Sequence, residues 1–338
     1  MTRSLLWGAG PAAALAVVLA AALAPAPAAE DTGREAAQAA TAARIELKRD
    51  DDAGQLLVLI DGKEALGYQY AKYVDMAHYF PVRSPSGKLL TVQETEPYPH
   101  HRSIWFADAV QLEGRRTASF YMARNTRVDK KDPRSPCRDR IRHAAFLPYN
   151  ISGNRADLGM KLLWEMDENV PVLDEARQLR IVALGKGEYF LDLMFAVTAS
   201  YGDVKFLSDP THYAWPYVRM HPQFSVEKGG GTITNSEGGI NGAGTLMKPA
   251  RWVDYSATVG GVTEGLAMFS PDAKTPPLWF TRDYGTFGPR RPDEQSGKPF
   301  TLKKGESLKT RVGILVHSGD VKAAGVAGRY QEFIDGKL

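Results

Sequence analysis

The stretch from Leu179 to Thr198 constrains the fold more than any other. A strand-like run to Leu184 meets Gly185-Lys186-Gly187, and a second run starts at Tyr189. Extended runs broken by residues free to take positive φ specify antiparallel strands joined by a tight turn. The same pattern recurs along the chain. Strand periodicity begins at Ile45; Gln55–Ile60 enters Asp61-Gly62 and the chain resumes toward Tyr68 and Tyr70. Tyr201-Gly202-Asp203 turns it into Val204–Leu207. Asp254–Val259, Gly260-Gly261 and Val262–Phe269 form another hairpin. Phe300–Leu302, a turn at Lys303–Glu306 and Leu308–His317 read as the last. Helical spacing is confined to the tail from Asp320 to Ile334, with Val321, Val326, Tyr330 and Phe333 as its apolar positions and Ser318 as N-cap.

No Pro/Ser linker interrupts these strands and no short-period repeat is present. The expected fold is therefore all-β: a large antiparallel two-sheet sandwich in one domain, residues 44–338, with a short C-terminal helix. Ahead of it, residues 1–28 read as a secretory signal peptide. Arg3 is the sole charge before Glu30, an apolar run spans Ala12–Leu23, and Ala26-Pro27-Ala28 offers a small-x-small cleavage site. Residues 29–43 read as a flexible lead-in. The expected location is periplasmic or secreted, with no membrane attachment after cleavage, because the apolar run is too short for an anchor. Cys137, the single cysteine, excludes an intrachain disulfide, so a large core must hold the fold unaided. Cleavage would remove Arg3 and no acid, leaving 41 basic against 39 acidic residues. That balance gives no electrostatic reason to bind nucleic acid. The basic stretch Lys130–Arg140 reads as a solvated loop, and Gly229-Gly230-Gly231 as a turn without the Lys-Ser/Thr of a phosphate loop.

Two segments concentrate imidazole, guanidinium and aromatic groups. In the first, Pro97 and Pro99 favour extended backbone before His100, His101 and Arg102, with Trp105 and Phe106 following. On a strand, adjacent residues face opposite ways, so only one of the two histidines should enter a pocket, with Arg102 on the face of His100. Arg102 can fork onto a carboxylate or hydroxyls, and Trp105 can stack a sugar ring. In the second, His212 follows Asp209-Pro210-Thr211, and Tyr213, Trp215, Tyr217 and Arg219 alternate on the opposite face. A purely structural strand more often buries Val or Ile there. Glu237, in Thr234–Gly239, and Asp283, in Arg282-Asp283-Tyr284-Gly285, are carboxylates at strand ends; Asp254 and Tyr284 sit in similar charged and aromatic composites. His221 reads as structural. No Ser-His-Asp spacing, H-E-x-x-H or cysteine cluster marks a nucleophile or zinc site.

Six ordered blocks carry a family resemblance: Pro99-His100-His101-Arg102 with Trp105-Phe106-Ala107; Asp209, His212, Arg219, Met220 and Pro222; Thr234–Gly238; Arg251–Ser256; Arg282–Gly285; and Gly305–Leu308 with Arg311, Ile314–His317 and Gly319-Asp320. Over roughly residues 45–320 the chain is similar to the PmoA-like family of exported bacterial proteins. A methane-oxidising membrane subunit needs several apolar spans, and the mature chain has none, so that label misleads. The resemblance implies a galactose-mutarotase-like β-sandwich in bacteria that degrade polysaccharides. Ser103 stands where a glycine commonly follows the His-His-Arg block, and the stretch after Tyr284 is short and rich in Pro and Arg.

By analogy with mutarotase-like sandwiches, His212 is expected as acid/base, with Glu237 or Asp283 as its partner and His100 beside them. His101, Arg102, Trp105, Tyr213, Trp215, Arg219, Asp254 and Tyr284 are expected to bind a carbohydrate substrate. The leading expectation is an exported enzyme moving protons on a sugar, as a glycoside hydrolase, lyase or epimerase. The alternatives are a non-catalytic glycan-binding protein and a metal-dependent enzyme holding a divalent ion with His100, His212 and an acid. No other cofactor is called for.

Overall fold

The computed structural model describes residues 43–207, 214–291 and 297–338, so the expected signal peptide and nearly all of the lead-in lie outside the described residues. Among those described, two large antiparallel sheets dominate. The first has eight strands, ordered Ile45–Asp50, Gln55–Ile60, Lys63–Gln69, His78–Val82, Ile104–Trp105, Tyr217–Arg219, Thr286–Pro289 and Trp279–Arg282. The second has nine, ordered Thr232–Asn235, Trp252–Val259, Val262–Phe269, Ser307–Ser318, Glu188–Thr198, Val170–Gly185, Arg155–Met166 and Asp139–Phe146, with Asn150–Ser152 paired beside Arg155–Met166. One apolar core joins them. Leu56, Val58 and Leu66 of the first sheet share it with Leu162, Leu191 and Val316 of the second. The buried Tyr189 hydroxyl bridges the layers, donating toward the carbonyls of Ala65 and Arg83 at 2.9 Å. This is the expected all-β sandwich.

Alternation explains a second, smaller core. Leu191, Leu266 and Val316 face the other sheet, so their neighbours Phe190, Ala267 and Leu315 must face outward. The helix Val326–Ile334 covers that outer face with Val326, Tyr330 and Phe333. Ser318 is not its N-cap but the last residue of strand Ser307–Ser318. Gly325, at φ 61°, begins the helix, and Asp320 holds the preceding turn through the backbone N–H groups of Lys322 and Ala323.

The hairpins expected at Gly185–Gly187 and Gly260-Gly261 are present, with Ala183 opposite Tyr189 and Val259 opposite Val262. So is the one at Asp61-Gly62, where both residues take positive φ, 52° and 75°. A Cβ added to Gly62 would meet no atom within 4 Å. Gly62→Ala therefore tests backbone strain alone and should cost about 1 kcal/mol. Urea unfolding would show a lower midpoint at unchanged slope; an unshifted midpoint would refute the positive-φ turn.

The last expected hairpin is corrected. Phe300–Leu302 pairs with Val204–Phe206 in a third, four-stranded sheet that continues through Ala109–Leu112 and Thr117–Ser119. Strand Ser307–Ser318 instead pairs with Glu188–Thr198 and Val262–Phe269. The turn at 303–306 passes the chain between sheets, held by the Lys303 and Lys304 N–H groups on Glu306 and Asp203 and by the Gly305 N–H on Ala199 O.

Candidate functional site

Three segments of the described chain converge on one cavity of about 400 Å³, lined by Tyr98, His100, His101, Tyr121, Met122, Phe280, Arg282 and Tyr284. The first is a folded-back loop rather than a strand. The Glu94 N–H reaches His101 O, the Tyr98 N–H reaches Thr95 O and the His101 N–H reaches Tyr98 O, each at 3.0 Å. This corrects the expectation that His100 and His101 face opposite ways. On a turn the two-residue alternation lapses, both imidazoles enter the cavity, and their centroids lie 4.6 Å apart. The second segment is the hairpin of Trp279–Arg282 and Thr286–Pro289. Its tight turn, closed by the Gly285 N–H on Arg282 O at 2.9 Å, presents Phe280, Arg282 and Tyr284. The third brings Tyr121 and Met122, just ahead of the 3-10 turn Ala123–Thr126; Phe120 and Tyr121 both donate backbone N–H groups to Asp108 O.

The two imidazoles differ. His101 is buried between rings, 4.9 Å from Tyr98 in a stack and 5.3 Å from Trp105. Its Nε2 is 3.0 Å from the Tyr121 hydroxyl and its Nδ1 is 3.5 Å from Thr286 Oγ1. Burial, then the neighbouring His100 and the Arg219 and Arg102 guanidiniums, push its pKa down to about 2. His100 is half-buried, and its ring makes no hydrogen bond among the described residues. Burial, then Arg102, hold its pKa below the usual histidine value against the opposing charge of Asp75. Both rings are accordingly neutral at pH 7, able to accept a proton or a hydrogen bond.

Of the residues expected in the site, His100, His101 and Tyr284 line this cavity. Arg102 does not: it is 2% exposed, with Nη2 2.7 Å from Asp75 and Nη1 2.9 Å from Glu94, so its fork is filled internally. Trp105 and Trp215 are core residues, not ring platforms. Trp105 stacks on Tyr217 at 4.9 Å, and Trp215 packs on Phe106 and Phe206 beneath the Arg291 guanidinium. The alternation of Trp215, Tyr217 and Arg219 thus faces inward. Asp254 is fully buried, accepting from Ser256 Oγ and lying 2.7 Å from His317 Nε2. Asp283 points away from its neighbours Arg282 and Tyr284 and accepts the Gly242 N–H at 2.7 Å. Glu237 is exposed on its turn, bound to Ser236 Oγ and 3.5 Å from Arg251; neither carboxylate lines the cavity. Arg219 lies behind the wall, its guanidinium 4.6 Å from the Tyr284 ring centroid. His212 and Tyr213 lie outside the described residues. Among those described, no group of three His, Cys, Asp or Glu is placed to hold a metal ion.

Sequence reading missed Tyr98, Tyr121, Met122, Phe280 and Arg282. Tyr98 and Arg282 stand inside stretches already singled out, beside the residues preferred there. Tyr121, Met122 and Phe280 carry no local signal, because only the fold brings them to His100.

Residues 55–331 match a family described as a family of unknown function, DUF6807, and the chain belongs to that family. The match brings no activity with it, and it does not itself show the PmoA-like assignment. No curated protein matches the chain. Among solved structures, a GH36 α-galactosidase from Geobacillus stearothermophilus in complex with raffinose is 11% identical at a TM-score of 0.41, over 82% of this chain and 41% of that one. A polysaccharide lyase is 12% identical at a TM-score of 0.32, over 82% and 33%. A galactose-mutarotase-related enzyme from Lactobacillus acidophilus is 12% identical at a TM-score of 0.27, over 81% and 97%. The chain thus spans well under half the length of the first two.

Proposed function

We propose that this cavity is the substrate site of an exported, carbohydrate-directed enzyme that works by proton transfer. The observation that carries the reading is the pair of neutral imidazoles, 4.6 Å apart, in an open cavity walled by tyrosines. Tyrosine faces suit the apolar faces of a sugar ring, while hydroxyls and imidazoles suit its polar rim. His100, with no hydrogen bond of its own among the described residues, is the base or acid that meets the substrate. His101 and the Tyr121 hydroxyl, 3.0 Å apart, supply a donor and acceptor pair beside it, and Arg282 orients a polar substituent. The Tyr98 and Tyr284 rings, 5.0 Å apart, form the aromatic wall. Hydrolysis, elimination and epimerisation all require such a group, and the products separate them.

Product-resolved NMR of the protein with plant and algal oligosaccharides, uronates and oxidised glycosides tests this. The expected result is new anomeric or unsaturated proton signals that grow with time. Broadening of ligand lines without any product would replace the enzyme with a glycan-binding protein. No response to any sugar would remove carbohydrate from the reading.

A further inference from the structure

The charge around the cavity is one-sided. Its lining holds the Arg282 cation and no carboxylate. Arg282 makes no ion pair among the described residues; its guanidinium rests 4.7 Å from the Phe280 ring centroid. Behind Tyr284 lies Arg219, 3% exposed. It spends Nη1 on Tyr284 O at 2.7 Å and Thr286 Oγ1 at 3.3 Å, its buried Nε has no acceptor, and no carboxylate pairs with it. Two guanidiniums more deeply buried than Arg219 are treated differently: Arg102 is paired with Asp75 and Arg177 with Glu175. A buried cation without a counter-charge is costly, and an anion brought close offsets that cost.

The next stretch of chain lines a second cavity of about 470 Å³, with Arg124, Asn125, Arg127, Lys130, Lys131 and Pro133. Tyr121 and Met122 line one cavity, and Arg124 and Asn125, on the 3-10 turn Ala123–Thr126 that follows directly in the chain, line the other. Arg124 meets Glu94 at 2.7 Å and Arg127 is spent on carbonyls, whereas Lys130 and Lys131 have no ion pair among the described residues. The loop that reads in sequence as merely solvated is the cationic edge of this groove.

We propose that the substrate class of the site is an acidic glycan. A uronate ring enters the His100–Tyr284 cavity with its carboxylate toward Arg282 and the field of Arg219, and further acidic units extend over the Lys130–Lys131 groove. This rests on the reading of the cavity as a sugar site. The guanidinium fork matches a carboxylate, and flexible lysines track the spaced charges of a chain.

Isothermal titration of the full chain with galacturonate, with oligogalacturonate and with the methyl-esterified, neutral counterpart of each tests the assignment, using wild type, Arg282→Gln and a Lys130→Gln/Lys131→Gln double variant. The acidic chain should bind wild type at least about tenfold tighter, the contribution of one charge-assisted hydrogen bond, and weaken with added salt. Arg282→Gln should remove that preference for a single galacturonate and reduce it for the chain, whose further carboxylates meet Lys130 and Lys131. The double variant should weaken long acidic chains but leave the single uronate unaffected. Equal binding of the acidic and neutral chains by wild type would overturn the acidic class while leaving the sugar site standing. A preference that survives undiminished in both variants would place the acid recognition elsewhere and overturn the proposal. Binding of neither ligand would overturn the sugar site together with it.

Discussion

Glu175→Gln should destabilise the protein by about 3–5 kcal/mol, the usual cost of stripping a buried cation of its partner. Both side chains of the Glu175–Arg177 pair are completely enclosed, with Arg177 Nη2 2.7 Å and Nε 2.8 Å from Glu175 Oε1. The other carboxylate oxygen accepts the Trp164 indole N–H at 2.7 Å. Arg177 also donates Nη1 to Ala77 O at 3.0 Å, beside the first sheet, and lies 4.8 Å from the Phe195 ring centroid. The pair is thus a polar pin through an apolar sandwich, fixing how strand Val170–Gly185 sits against the neighbourhood of His78–Val82. Glutamine keeps the shape but removes the charge and one of the two acceptor oxygens, so the loss combines an uncompensated guanidinium with a donor, Arg177 or the Trp164 indole N–H, left facing an amide NH2. Chemical denaturation of the single variants and of Glu175→Leu with Arg177→Met checks it: the double variant should be more stable than either single one. A Glu175→Gln protein within about 1 kcal/mol of wild type would show that the cation is compensated without Glu175.

That pin is invisible in the sequence Asp174-Glu175-Ala176-Arg177, which looks like a solvated stretch. Alternation tells which residues share a face, but not which face meets the other sheet. The same ambiguity misplaced Trp105, Trp215 and Arg219, whose polar tips suggested a cleft although the strands turn them inward. What was legible is local. A two- or three-residue turn with glycine fixes the register of the strands it joins, so the hairpins at Gly62, Gly185–Gly187 and Gly260-Gly261 could be read directly. Phe300–Leu302 was misassigned because its partner, Val204–Phe206, lies about a hundred residues back, where no turn records the pairing. In the site, the His-His block was found from composition alone. Its geometry was not, because the prolines before it feed a folded loop instead of a strand, and its walls come from residues 121–122 and 280–284.

His100→Ala should lower turnover by about 10²- to 10⁴-fold, the range contributed by one positioned proton-transfer group, and leave the melting temperature close to wild type. The stability half follows from position: the ring is half-buried at a cavity mouth and holds no hydrogen bond among the described residues, so its loss strands no buried partner. The activity half follows from charge state. Because burial and Arg102 hold the His100 pKa below the usual histidine value, the ring is a neutral base at pH 7 and becomes protonated only in more acidic solution. If it acts as base, the acid limb of kcat/KM should therefore lie at lower pH than an ordinary histidine would place it. His101 cannot supply that limb, since its pKa of about 2 keeps it neutral throughout the accessible range. The acid limb should disappear from the residual activity of His100→Ala. An alanine variant with wild-type turnover, or one that keeps the same acid limb, would take proton transfer away from His100 and leave it as a wall of the cavity.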